Sequence, residues 1–171
     1  IVIKQIESAF DNISTLYIAD GHHRSAAAGR IFQSRNGEGN SGGFLTVVFP
    51  HDQMQILAYN RAVKDLNGRR PEEILSTLEG LGTVEDSDTP VDPASKNELG
   101  IYMGNHWYRF QFSNEVATKG NAVDQLDVSL LQDNVLSPLL TIEDPRKSTR
   151  ISFVGGIRGL GELEKLVNSG D

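Results

Sequence analysis

The residues best suited to chemistry stand in one run, Asp20-Gly21-His22-His23-Arg24. It lies between the apolar, β-prone Thr15-Leu16-Tyr17-Ile18-Ala19 and the helix-forming Ser25-Ala26-Ala27-Ala28-Gly29-Arg30-Ile31-Phe32. That order reads as strand, tight turn and helix. The first N–H groups of a helix have no partner within it, and the helix dipole adds partial positive charge at the same point. Gly21 removes a side chain where a ligand must approach, and Arg24 supplies a forked cation suited to phosphate or carboxylate. The turn from Tyr17 to Arg24 is therefore expected to hold an anion and to be the functional centre.

Two adjacent imidazoles, His22 and His23, add proton donors, or a general acid or base, at near-neutral pH. Asp20 has three possible uses: it caps the helix, orients an imidazole, or coordinates a Mg²⁺ that accompanies phosphates. Plain structural uses stand beside these. Asp-Gly is a common turn, and a histidine can simply satisfy backbone groups. No zinc, haem or flavin is expected. Adjacent histidines point to different sides of a helix, there is no His-x-x-x-His pair, and His51 and His106 lie far off in sequence.

A second turn, Phe153-Val154-Gly155-Gly156-Ile157-Arg158-Gly159, repeats the strand-glycine-helix pattern with one arginine and no histidine. Asn60-Arg61-Ala62-Val63-Lys64-Asp65 follows a probable-strand composition and carries two cations. Gly21, His22, His23, Arg24, Arg61, Lys64 and Arg158 are the candidate phosphate ligands. An ordinary tight turn at Gly155-Gly156, and solvated surface at Arg61 and Lys64, stay open as alternatives.

The bulk numbers narrow the partners. A chain of 171 residues with 38% hydrophobic content can bury one good core. One domain over 1–171 is expected, with a loop or sub-boundary at 83–97. Sixteen basic against twenty-three acidic side chains give a net charge of −7 and a pI near 5.1. That balance disfavours a nucleic-acid partner. The absence of cysteine removes disulfides, thiolate metal sites and cysteine nucleophiles together, and fits a cytoplasmic protein. No apolar run approaches the ~18 to 20 residues of a membrane span, so no membrane partner is expected. The chain starts without Met and stops at Leu166-Val167-Asn168-Ser169-Gly170-Asp171, so it reads as a fragment of a longer chain.

The elements that must position these residues follow from periodicity. Ile1 to Phe10 has the spacing of an amphipathic helix. Residues 35–43 are too polar and glycine-rich to pack. Phe44 to Phe49 is an unbroken apolar run, the pattern of a strand covered on both faces and central in a sheet. A second strand is expected at Gln55 to Tyr59, and Pro71-Glu72-Glu73 opens a helix through Leu81. The acidic, proline-containing 85–93 reads as a linker or long surface loop. Leu99 to Met103 and Trp107 to Phe112 flank Gly104-Asn105 as a hairpin. Leu126 to Leu140 reads as a helix that Pro138 ends or bends. Arg150 to Val154 reads as a strand and Leu160 to Val167 as a helix. The expected fold class is α+β (mixed α/β), a central mixed sheet with packed helices.

Four ordered segments carry a resemblance: Ile18 to Arg24, Leu57 to Leu66, Leu126 to Leu131, and Phe153 to Gly159. Over almost the whole chain they closely resemble the bacterial and archaeal family of uncharacterised proteins known as domain of unknown function 1015. Its members are much longer than this chain, and it carries no established activity. More distantly, the Gly21-to-Arg24 turn resembles the Gly-x-x-Arg turn of the ParB and sulfiredoxin superfamily, where an equivalent strand-turn-helix, here residues 15–35, binds nucleotide phosphates. That resemblance implies phosphate binding by Gly21, His22, His23 and Arg24 alone. The chain lacks the reactive-cysteine form of the turn and the ParB arginine pair, so neither sulfinic-acid repair nor DNA partitioning follows.

The function expected from these readings is phosphoryl transfer or hydrolysis on a small phosphorylated metabolite or nucleotide, kinase- or phosphatase-like, with Mg²⁺ as cofactor. Catalytic candidates are His22, His23 and Asp20, and Asp20 is the candidate metal ligand. The alternative is a non-catalytic regulatory module that senses the same anion.

Overall fold

The computed structural model describes residues 2–170. The chain forms two compact units, Ile1–Met54 and Gln55–Asp171. The class is mixed α+β, with six α-helices and two small antiparallel sheets among the described residues.

The first unit holds α1 (Val2–Asp11), α2 (His22–Ser34) and two short 3₁₀ turns, Gly39–Gly42 and His51–Gln53. Helix α1 keeps the expected amphipathic spacing, and α2 begins at the turn and runs on through the alanine-rich stretch. Neither segment expected as a strand enters a ladder among the described residues. Thr15–Ala19 and Phe44–Phe49 are irregular chain. A strand is defined by a partner edge, and apolar, β-prone composition cannot supply one. Phe44, Leu45, Val47, Val48 and Phe49 are all exposed, so the run expected at the centre of a sheet is at the surface. None of the described residues of this unit is buried.

The second unit holds the core. Strand β1 (Tyr59–Val63) pairs antiparallel with β5 (Ile151–Gly155), and β2 (Gly82–Ser87), β4 (His106–Phe112) and β3 (Glu98–Met103) form the second sheet in that order. The expected single central sheet is thus two smaller ones. The β3–β4 hairpin forms as its sequence predicts. Met103 pairs with His106, and Gly104 and Asn105 between them have φ of 62° and 64°. Positive φ at both central residues matches the twist of the flanking strands, and Gly and Asn tolerate it.

Two boundaries differ from expectation for physical reasons. The strand expected at Gln55–Tyr59 begins at Tyr59, because only from there does the chain find the edge of β5. The acidic stretch expected as a linker from 85 is partly structural. Glu85, Asp86 and Ser87 finish β2 against Arg109, Tyr108 and Trp107, and Val91 beyond them is fully buried. Acidic side chains suit an edge strand, whose outer side stays in water.

Helix α3 (Pro71–Glu79) starts as proline and the carboxylates imply, with the Glu73 carboxylate accepting the Arg70 N–H at 2.7 Å. Short α4 (Asn114–Ala117) follows the hairpin, capped by Ser113. Helix α5 (Asp127–Leu131) passes into a π-helical turn, Gln132–Leu136. Pro138 lacks an N–H and its ring crowds the Asn134 carbonyl, so the ladder widens and the Ser137 N–H bonds the Gln132 carbonyl instead. Last is α6 (Gly161–Ser169), seated by side-chain bonds. The Trp107 indole N–H donates to Glu164 Oε1 at 2.7 Å, and the Tyr102 hydroxyl donates to Asn168.

The core lies between the two sheets, α3 and the α5 region. It is built from Ile74, Leu78, Phe110, Phe112, Leu130, Leu136, Leu140, Ile142 and Ile151, with others. Phe110 is its centre. It is fully buried, sits in register between Val84 and Leu99, and meets the Phe112 ring edge-on at 4.7 Å.

A polar seam closes one side. Asp65 accepts a two-pronged ion pair from Arg150 and the Asn67 N–H, while Arg150 Nη1 donates to the Leu140 carbonyl. The Arg150 hydrogen bonds first, then the Asn67 N–H, pull the Asp65 carboxyl down to about 2.

Two outcomes are expected. Phe110→Ala removes a fully packed ring and costs about 3–5 kcal/mol of stability by urea unfolding; a loss below about 1 kcal/mol would contradict its central place. For Asp65 the folded value is depressed below the unfolded one of about 3.9. Its stabilisation is therefore present above that pH and is lost as pH falls towards 2. Asp65→Asn lowers the urea midpoint at pH 6, and the difference from the parent narrows as pH falls below about 4 and closes only below pH 2. Equal midpoints at pH 6 would show that the pair contributes nothing.

Candidate functional site

The turn at Asp20–Arg24 is built as its residue types require. Gly21 has φ 83° and ψ 26°, the left-handed conformation, which lets the chain enter α2 abruptly. Asp20 Oδ1 accepts the Gly21 N–H at 2.6 Å, and the Gly21 carbonyl accepts the first helical bond, from Ser25, at 2.9 Å. Of the three uses open to Asp20, capping is not the one observed. No side chain caps α2, and the N–H groups of His22, His23 and Arg24 find no acceptor among the described residues.

Arg24 folds back over this opening. A β-carbon added to Gly21 would lie 3.2 Å from Arg24 Nη2 and 3.4 Å from Nε, so the guanidinium rests against the bare Cα. The positive φ is what calls for glycine here, since the guanidinium is the far end of an exposed, flexible side chain and could shift for a β-carbon. Among the described residues Arg24 has no carboxylate in ion-pair range, and neither imidazole makes a hydrogen bond. His22, His23 and Arg24 are all exposed. Three unpartnered N–H groups, a helix dipole and an uncompensated guanidinium in one place make an anion-seeking surface.

The same place is less suited to a resident metal. Among the described residues no three His, Asp or Glu side chains converge. Asp20 offers one carboxylate, and one suffices only for an ion that arrives with phosphate oxygens of its own.

The remaining predicted ligands belong to the second unit. Arg61 lies mid-strand on β1, half-buried, with its guanidinium 5.5 Å over the Phe153 ring and Nη1 donating to the Tyr59 carbonyl at 2.8 Å. Burial pushes its pKa down, partly offset by Tyr59. Lys64 is exposed just beyond β1, where its N–H bonds the Arg150 carbonyl at 2.9 Å. Arg158 ends the 3₁₀ turn Gly156–Arg158 and is 3.6 Å from Glu162, so its charge already has a partner. That turn is pinned to β1. The Gly156 N–H donates to the Ala58 carbonyl at 2.7 Å, and a β-carbon on Gly156 would come within 2.6 Å of the same oxygen. The tight-turn alternative therefore has a direct structural basis at Gly156, whereas a β-carbon on Gly155 would meet nothing within 4 Å.

Two features have weak sequence signals. The aromatic stack of Tyr59 on Phe153, with centroids 5.1 Å apart and planes 8° from parallel, depends on the β1–β5 register. Glu98, only 6% exposed, pairs with Arg109 and accepts from the Ser95 hydroxyl at 2.9 Å. Arg109 also lines a shallow cavity with Thr83, Glu85 and Gln111, but Glu98 answers its charge. A glutamate ahead of a strand reads as a surface residue, and only the cross-strand pairing reveals its partner.

By class this is a mixed α+β protein whose candidate site is an uncapped helix start covered by an arginine. The family described as Protein of unknown function (DUF1015) matches residues 1–129, and the chain belongs to that family. The match covers the turn at Asp20–Arg24 and all of β1, and ends before the Phe153–Gly159 segment. No curated protein and no solved structure matches the chain. Among the described residues, no helix is long and apolar enough to cross a membrane.

The two glycines of this region separate by substitution. Gly21→Ala places a side chain at positive φ and against the Arg24 guanidinium, at a cost of about 1–2 kcal/mol. Gly29 lies within α2 with open space around it, so Gly29→Ala stabilises by about 0.5–1 kcal/mol. Far-ultraviolet circular dichroism during thermal unfolding checks both; equal effects would mean that the turn places no special demand on residue 21.

Proposed function

We propose that this chain is a phosphate-binding domain that seats a nucleotide or small phosphorylated metabolite on the start of α2 and acts in phosphoryl transfer or hydrolysis. One observation carries the reading: the Arg24 guanidinium, with no carboxylate partner among the described residues, lies over Gly21, beside three helix N–H groups that no group of the described residues occupies. Bonds from charged donors to phosphate oxygens are the strong kind, and an uncapped helix start adds its dipole. Gly21 admits the anion to the backbone, and Arg24 clamps it. His22 or His23 takes the proton of the attacking hydroxyl or water as the new P–O bond forms and the bridging P–O bond breaks. Asp20 would hold a Mg²⁺ accompanying the phosphates, which would supply charge stabilisation there. Arg61, Lys64 and Arg158 belong to the second unit and are anion candidates there in their own right, not ligands of the anion on α2. The setting is cytoplasmic, and the partner is a small anion rather than nucleic acid or membrane.

A specific observation favours the second reading, a sensor without turnover. A catalytic imidazole is ordinarily oriented by a further group, and among the described residues no hydrogen bond holds the His22 or His23 side chain. The domain then binds the same anion at the same residues and passes on its presence.

The test is a thermal-shift panel of ATP, ADP, CTP, phosphoserine and inorganic phosphate, with and without Mg²⁺. At least one anion is expected to raise the melting point, since a ligand at 100 times its Kd stabilises by about 2.7 kcal/mol. Arg24→Ala should remove the rise. No shift from any of the anions would sink the anion site. Turnover of a binding anion that is lost in His22→Ala or His23→Ala selects the enzyme, and binding without turnover selects the sensor.

A further inference from the structure

The β1–β5 ribbon carries a second recognition surface, distinct from the start of α2. Cross-strand register sets Arg61 opposite Phe153 and Tyr59 opposite Gly155, so Tyr59, Arg61 and Phe153 share one face. The three are layered. Tyr59 and Phe153 stack in parallel, and the Arg61 guanidinium lies over the Phe153 ring. This ladder is not core. Tyr59 is 60% exposed and Phe153 is 36% exposed, whereas Val63 and Ile151 further along the ribbon turn inward. Opposite Tyr59 stands Gly155, where an added β-carbon would meet nothing within 4 Å, so the space beside the tyrosine is open.

Each part has an ordinary structural use, but the combination is harder to explain that way. Cross-strand aromatic pairs stabilise sheets, and an arginine over a ring contributes a modest cation–π attraction. Structure alone would answer a half-buried cation with a carboxylate. Among the described residues Arg61 has none, and its one side-chain hydrogen bond uses a single N–H of five. Removing it from water without neutralising it is unfavourable, as the lowered pKa reflects. An anion would compensate it.

We infer that this face binds a nucleotide, with the base stacked on Tyr59 and a phosphate on Arg61. Stacking on an aromatic ring accepts any base, because every base has a π-face. The chain's net charge of −7 favours a mononucleotide over a polyanionic strand. The inference rests on the proposed function only in asking for a phosphate, since its residues lie on the ribbon and not on α2.

The experiment compares AMP, ribose 5-phosphate and tripolyphosphate by isothermal titration calorimetry against the parent chain, Tyr59→Leu, Phe153→Leu, Arg61→Gln and Arg24→Ala. Circular dichroism confirms that each variant is folded. AMP and ribose 5-phosphate carry one phosphate each, so in the parent AMP is expected to bind about tenfold or more tighter, the share of one stacked base. Tyr59→Leu removes that preference and leaves ribose 5-phosphate binding unchanged. Phe153→Leu reduces the preference in the same direction, and Arg61→Gln weakens both ligands. Equal binding of AMP and ribose 5-phosphate by the parent overturns the inference, as does a preference that survives in Tyr59→Leu. Tighter binding of a single-stranded oligonucleotide than of AMP, lost in Tyr59→Leu, overturns the mononucleotide assignment. Failure at α2 is separate: there Arg24→Ala leaves tripolyphosphate binding intact while Tyr59→Leu still removes the AMP preference.

Discussion

Much of the second unit depends on one pairing, the antiparallel contact that brings Val63 to Ile151 and Tyr59 to Gly155. It joins segments far apart in the chain, so its entropic cost must be met by what it assembles. At one end it brings Asp65 to Arg150, and through Arg150 to the carbonyl of Leu140. In the middle it layers Arg61 on Phe153 and Phe153 on Tyr59. Past Tyr59, the Gly156 N–H reaches the Ala58 carbonyl and so sets where the turn bearing Arg158 begins. An ion pair, an aromatic stack and a glycine turn thus share a single register. A slip of one residue would reverse the faces of all the strand side chains together.

The legible parts of the fold were those governed by local rules. Pro71 with Glu72 and Glu73 marks a helix start, Gly104-Asn105 marks a two-residue hairpin, and Val2, Ile3, Ile6 and Phe10 mark one face of a helix; each rule needs only neighbours in sequence. Strands that need distant partners were less legible. Phe44 to Phe49 has the composition of a central strand but no ladder partner among the described residues, whereas the polar Asn60 and Arg61 lie within β1 because β5 is there to pair with them. The π-helical turn follows from Pro138, although the sequence alone left bending and termination both open.

The candidate site divides the same way. Its first half, glycine, two histidines and arginine before an alanine-rich helix, is a local pattern. The structure adds what the pattern could not contain, the arginine lying back over the glycine and, among the described residues, the absence of a capping side chain. Arg61 and Arg158, both expected as candidate phosphate ligands, differ once their surroundings are known. Glu162 partners Arg158 from the next helical turn, while Arg61 is half-buried against an aromatic ring with no carboxylate beside it among the described residues. Equal formal charge is therefore unequally compensated.

Trp107 is the only tryptophan in the chain, and its buried indole is hydrogen-bonded to Glu164 of α6. The protein therefore contains a native fluorophore whose surroundings change if the last helix lifts from the sheet. Because the emission of a buried indole shifts to longer wavelength when water reaches it, intrinsic fluorescence records the docking of α6 in the second unit. No label has to be introduced to follow that event.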